Sequence, residues 1–218
     1  MPRVTYVRIL GEDRIRLSKG YLGYDEFEGL TMRVRETLFQ YYLKHEGLVF
    51  HTMSGFFTVL PGNASELDEK MVYQQLNQMV EHGVSFVSVS HSKPYTTLLL
   101  ASKYLFDKPG FTFLAGETGE VVIALFDYSS ELPPNDLALS VYVSKYYCAE
   151  ISKLMFRNGG LLLECRDARS VGLLDPSSIS EFLSLGLDFK VGIGKAVTPL
   201  QAYVKAQRSL DRGIPLVE

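Results

Sequence analysis

The fold turns on two stretches, Gly47-Leu-Val-Phe-His-Thr-Met-Ser-Gly-Phe-Phe-Thr-Val-Leu60 and Gly160-Leu-Leu-Leu-Glu-Cys-Arg-Asp-Ala-Arg-Ser-Val-Gly-Leu-Leu174. Each opens on glycine, runs through apolar residues, and passes a short tip before a second run: Met53-Ser54 in the first, and in the second a tip at Asp167 between strands expected at 161–165 and 170–174. That is the pattern of a β-hairpin. Each also follows a long amphipathic segment, expected as a helix over residues 28–44 or 136–156.

Working outward, strands are expected at 4–10 and 121–128, before those helices. A helix over 65–82 follows the first hairpin, with Ser65 as its N-cap, Asp68 and Glu69 near its positive end, and Leu67, Met71, Leu76 and Met79 on its buried face. A strand at 84–89 and a helix opened by Pro94 come next. The second hairpin is followed by a short helix at 177–185, a strand at 187–193 and a helix over 199–211. Ser88-Val-Ser before Pro94 matches Gly192-Ile-Gly before Pro199, a second landmark in the same order. The chain therefore reads as an α+β protein of two tandem ferredoxin-like, palm-like βαββαβ modules, residues 1–108 and 120–218, with antiparallel sheets and helices on one face. Residues 108–120, with Pro109 and three glycines, read as the junction.

Composition narrows the function. Of 218 residues, 46% are hydrophobic and 22% charged, which excludes disorder, and a net charge of −3 gives no global attraction for nucleic acid. The apolar runs are far shorter than the roughly 20 residues of a membrane span. Strand-like alternation starts at once, so a signal peptide is not expected and the protein reads as cytoplasmic. Cys148 and Cys165 fall in different expected elements, so a disulfide is not expected and both read as small core residues.

Chemistry concentrates in the second half. Asp127 ends the first strand and Asp167 lies at the hairpin tip, elements that neighbour one another in a βαββαβ sheet. Two carboxylates there suit Mg²⁺, which binds phosphates through one or two carboxylates and keeps several waters. Aligning the halves by their landmarks puts Leu10 at the place of Asp127 and Ser54 at that of Asp167, so the first module lacks the carboxylates. Gly192-Ile-Gly-Lys195 is only a fragment of a phosphate loop, and a tight strand exit is its simpler reading. Tyr41, Tyr42, Tyr146 and Tyr147 read as core or subunit interface.

With these features in order, the chain resembles the archaeal type III GTP cyclohydrolases. The resemblance is carried by Gly47-Leu-Val-Phe, Ser92-Lys-Pro-Tyr, Phe126-Asp127-Tyr, the Gly160 hairpin with Asp167, and Lys190-Val-Gly-Ile-Gly-Lys-Ala-Val-Thr. It implies Mg²⁺-dependent opening of the GTP imidazole ring with phosphate release, Asp127 and Asp167 being catalytic and metal-binding. It further implies a nucleotide site that includes Asp136, Arg166, Arg169, Lys195 and Arg212. A purine nucleoside triphosphate, GTP, is the expected partner, in a homo-oligomer with neither nucleic acid nor membrane. The family's amide-bearing motifs are replaced here by Asp127-Tyr-Ser-Ser and Cys165-Arg-Asp-Ala, its first hairpin aspartate by Met53-Ser-Gly-Phe, and there is no tryptophan. A non-catalytic paralogue that binds a purine nucleotide or only assembles is the alternative.

Overall fold

The computed structural model describes residues 2–105, 108–116, 119–184, 189–213 and 216–217. Two compact units emerge, one of residues 3–90 with 97–118, the other of residues 119–218 with 1–2 and 91–96.

The first unit runs β1 (Arg3–Ile9), α1 (Glu12–Lys19), α2 (Tyr21–Leu43), β2 (Leu48–Met53), β3 (Phe56–Leu60), α3 (Glu66–Met79), β4 (Val84–Ser90), α4 (Pro94–Ala101) and β5 (Gly110–Leu114). Its sheet has the order β2-β3-β1-β4-β5, antiparallel except for β4 beside β5. The first four strands have the ferredoxin-like order. On one face Val7, Ile9, Phe57, Val59, Val84 and Phe86 meet Phe27, Val34, Leu38 and Tyr42 of α2 and Val72 and Leu76 of α3. The final helix packs on the other face, where Tyr6 Oη lies 2.7 Å from Thr97 Oγ1.

The second unit repeats the order with β6 (Val121–Asp127), α5 (Leu137–Arg157), β7 (Leu161–Arg166), β8 (Arg169–Leu174), α6 (Ile179–Leu183), β9 (Lys190–Ala196), α7 (Pro199–Arg212) and β10 (Leu216–Val217). Its sheet, β10-β9-β6-β8-β7, is antiparallel except for β9 beside β10. Each module is thus one strand larger than expected. The stretch expected as a junction contributes β5, because Phe111 and Phe113 pair with β4 despite the flanking Pro109 and glycines. The expected strand start at Leu187 lies outside the described residues, as does the end of the short helix at Leu185.

Four local expectations change. The stretch between the strand expected at 4–10 and the helix expected at 28–44 is itself helical: α1 fills its first part, between Gly11 and Gly20 with φ of 78° and 57°, and α2 already begins at Tyr21. Its sequence, Glu-Asp-Arg-Ile-Arg-Leu-Ser-Lys, is mostly polar and carries no apolar period. In α3 Ser65 is the N-cap as expected, and Asp68 closes a capping box with it, Asp68 N donating to Ser65 Oγ at 3.2 Å and Ser65 N to Asp68 Oδ2 at 2.7 Å. Yet Leu67 and Met71 are 68% and 47% exposed, and the buried residues are Glu69, Val72 and Leu76. Third, Cys148 and Cys165 are joined in a disulfide with Cα atoms 6.0 Å apart. They are half-buried rather than core residues, and they meet because α5 packs over β7, an adjacency that sequence spacing does not report.

Fourth, the register corrects the alignment of the modules. Arg8 pairs with Phe56, the first residue of β3, as Asp127 pairs with Arg169, the first of β8. Ile9 N donates to Gly55 O, just as Tyr128 N donates to Ala168 O. Arg8, not Leu10, therefore occupies the place of Asp127, two residues earlier, while Ser54 does match Asp167 at the hairpin tip.

Glu69 sets the rotation of α3. It is fully buried, accepting from Thr5 Oγ1 at 2.5 Å and from Tyr42 Oη at 3.4 Å, while Thr5 also contacts Ser88 Oγ at 3.0 Å. Burial raises its pKa, outweighing the Arg3 charge and the hydrogen bonds from Thr5, Ser88 and Tyr42. A carboxyl with a raised folded pKa adds stability below its unfolded value, about 4.5, and that contribution is lost as pH rises through the folded value. Glu69→Gln should therefore flatten the decline of stability with pH above about 4.5. Below about 4.5, where Glu69 is protonated in both states, the two proteins should have similar stability. Urea midpoints of both proteins from pH 4 to 8 check this, and parallel curves would refute it.

Candidate nucleotide and metal site

Asp127 closes β6, a central strand, so its carboxylate emerges where the chain leaves the sheet. The side chain is only 14% exposed. Ser129 N donates to Oδ1 at 3.0 Å, and Arg169 Nη2 lies 3.4 Å from Oδ2. On the other flank Lys190, the first residue of β9, pairs with Asp127 in the sheet. Burial pushes the carboxyl pKa up, but the Ser129 hydrogen bonds and the charges of Arg169 and Lys190 outweigh it, leaving the pKa below the ordinary range. Asp127 is therefore ionised near neutrality.

Asp167 begins the two-residue turn between β7 and β8, exposed and with a φ of 47°. Aspartate tolerates this left-handed region better than most residues. The turn is tied down from outside: Ser144 Oγ on α5 donates to Asp167 O, and Tyr128 N donates to Ala168 O at 3.0 Å. Since Tyr128 follows Asp127, the hairpin tip and the end of β6 share one end of the sheet.

The other expected ligand contacts divide. Arg169 lies against Asp127. Arg212 ends α7, which runs antiparallel to β9, since a Cβ at Gly194 would meet Ala202 and one at Gly192 would meet Leu210. Arg212 thus lies beyond Gly192 at the Lys190 end of the unit, the end that carries Asp127, with its side chain exposed. Lys195 does not belong there. It pairs with Glu120 at 2.8 Å, five residues along β9 from Lys190, or roughly 16 Å at the usual strand rise. Asp136 caps α5, accepting from Leu139 N at 2.9 Å, a structural task for its carboxylate. Arg166 pairs with Glu164 at 2.9 Å on the edge strand. Sequence reading missed Lys190, Ser129 and Ser144. Only Lys190 had a signal, its position opposite Asp127 once the strands are paired.

The Gly192-Ile-Gly stretch is a packing feature. Cβ atoms there would overlap the α7 backbone at Ala202, Ala206 and Leu210, so both glycines admit the helix against the sheet. In the first unit Ser54 is held by Arg16 Nη2 at 2.9 Å and donates to Glu12 Oε1 at 3.1 Å, Arg16 and Glu12 themselves pairing at 2.7 Å. Side chains of opposite charge thus complete the tip that Asp167 crowns in the second unit. Tyr42 is core, whereas Tyr146 is 53% exposed and Tyr147 stacks on Tyr128.

Among the described residues no three His, Cys, Asp or Glu side chains converge as a metal cluster. Mg²⁺ does not need one, since one or two carboxylates and phosphate oxygens suffice. Asp127 fits such an ion: it is ionised, and the guanidinium facing it belongs to a side chain 64% exposed and free to turn away.

No family model and no curated protein matches the chain. Two solved structures of a bacterial light-regulated adenylyl cyclase are similar to it. They share 14% and 13% identity with it, over 89% of this chain and 72% of theirs, each with a TM-score of 0.29. A superposition that loose bears on no shared chemistry. No helix among the described residues is long and apolar enough to cross a membrane.

Proposed function

We propose that the second module binds a purine nucleoside triphosphate, GTP, with Mg²⁺ at the Asp127 end of its sheet. The reaction proposed is that of the type III GTP cyclohydrolases the sequence resembles: hydrolytic opening of the imidazole ring with release of phosphate. The observation that carries this is Asp127, ionised and flanked by Arg169 and Lys190, beside the hairpin that presents Asp167. A bound Mg²⁺ would neutralise phosphate charge and acidify a water, and Asp127 and Asp167 would hold it. Arg169 would turn from Asp127 to the phosphates, joined by Lys190 and Arg212. In this proposal the first module is structural. Self-association is proposed as well, supported by the exposed apolar start of α5, where Leu137 and Tyr142 are 82% and 68% exposed.

The second reading, a nucleotide binder without turnover, is favoured by the Arg169 contact on Asp127 and by the lack of side-chain amides in the motifs Asp127-Tyr-Ser-Ser and Cys165-Arg-Asp-Ala. Incubation with GTP and Mg²⁺ followed by ultraviolet and mass analysis separates the readings. A ring-opened pyrimidine with free phosphate is the expected product. Unchanged GTP that binds only with metal would establish the second reading, and a cyclic nucleotide would overturn both.

A further inference from the structure

We propose that Cys148 and Cys165 form a thiol–disulfide exchange site whose oxidation state controls the Asp167 hairpin. Its link to nucleotide binding rests on the proposed role of that hairpin. Cys148 lies one turn after Ser144 on α5, and Cys165 two residues before Asp167. Residues four apart share a helix face, so α5 grips the hairpin twice from one side. One grip is the Ser144 hydrogen bond to Asp167 O, and the other is the covalent bridge. The Cys165 sulfur also lies 3.2 Å from Ser170 Oγ and 3.6 Å from Tyr128 Oη, side chains that directly follow Arg169 and Asp127. The bridge therefore sits against both strands that carry the site.

The turn needs such support. Asp167 is exposed, and its φ of 47° is a left-handed conformation that aspartate bears better than most residues but less readily than glycine. Both cysteines are half-buried, within reach of a small reagent, and their Cα spacing of 6.0 Å suits a bridge. The co-reactant is a low-molecular-weight disulfide. One cysteine thiolate attacks a sulfur of it and expels a thiolate, giving a mixed disulfide. The second cysteine thiolate then attacks the protein sulfur and expels the other half. Two protein thiols are oxidised, the small disulfide is reduced to two thiols, and the two protons pass from the cysteines to the expelled thiolates. A small dithiol reverses the reaction.

The test uses the full chain treated with oxidised glutathione or with dithiothreitol. Alkylation and intact mass should count no free thiols after the first and two after the second. Amide exchange over residues 166–170 should be slower in the oxidised protein, by roughly tenfold. Mg²⁺·GTP should bind about tenfold more tightly to it, the ratio expected if about a tenth of the reduced population keeps the hairpin docked. In Cys148→Ser, and in Cys165→Ala as a second variant, both differences should vanish. Thiols that stay fully alkylatable after oxidised glutathione, or equal hairpin exchange in the two states, would overturn the proposal. If exchange differs while GTP binds in neither state, the redox site stands and the nucleotide reading falls.

Discussion

Asp167→Asn is expected to lower Mg²⁺-dependent turnover of GTP by roughly two orders of magnitude, the scale of losing a group that holds charge in a phosphate site. Stability should hardly change. The residue is exposed, so the substitution opens no cavity and strands no buried charge. Asparagine also tolerates the left-handed backbone that Asp167 adopts, and the bond from Ser144 goes to the main chain, which is kept. Thermal melts verify the fold, and steady-state product formation reads the effect. Ser54→Ala is the control at the equivalent tip of the first module: it should leave turnover within about twofold, because Ser54 is already occupied by Glu12 and Arg16. Equal turnover in Asp167→Asn and wild type would remove Asp167 from the site. A strong defect in Ser54→Ala would move the chemistry to the first module. Should the wild type bind GTP without turnover, the same variants are compared by Mg²⁺-dependent affinity.

Gly194→Ala should be the most destabilising small change in the second unit. The added Cβ would overlap Ala202 O and Ala206 N of α7, backbone atoms that cannot turn aside. The helix must lift from β9, at a cost of about 3 kcal/mol or more by analogy with overpacked cores. For a unit of this size that corresponds to a fall in Tm of more than about 10 °C. Gly110→Ala is the control, because nothing lies within 4 Å of its added Cβ. Calorimetric melts of the two variants decide. A stable Gly194→Ala protein with lost nucleotide binding would instead favour the phosphate-loop reading.

The two modules were legible because their signals are local. Glycine before an apolar run, a short hairpin tip, and proline opening a helix each act through backbone preferences a few residues wide. The strands that signal least, β5 among glycines and the two-residue β10, exist because β4 and β9 offer open edges. The helix α1 escaped notice for a related reason: too few of its residues are apolar to mark a buried stripe.

Sequence alone determined that Asp127 ends a strand, that Asp167 crowns a hairpin and that the first module lacks a carboxylate at its own tip. Only the tertiary structure decided what surrounds them. Pairing register, not landmark alignment, put Arg8 opposite Phe56 as Asp127 is opposite Arg169. Strand length sent Lys195 to the far end of β9 and brought Lys190 beside Asp127, and helix packing joined Cys148 to Cys165. The difference is physical. Turn and strand propensities are carried by neighbouring residues, whereas charge pairing, register and side-chain contact depend on which distant segments the hydrophobic core draws together.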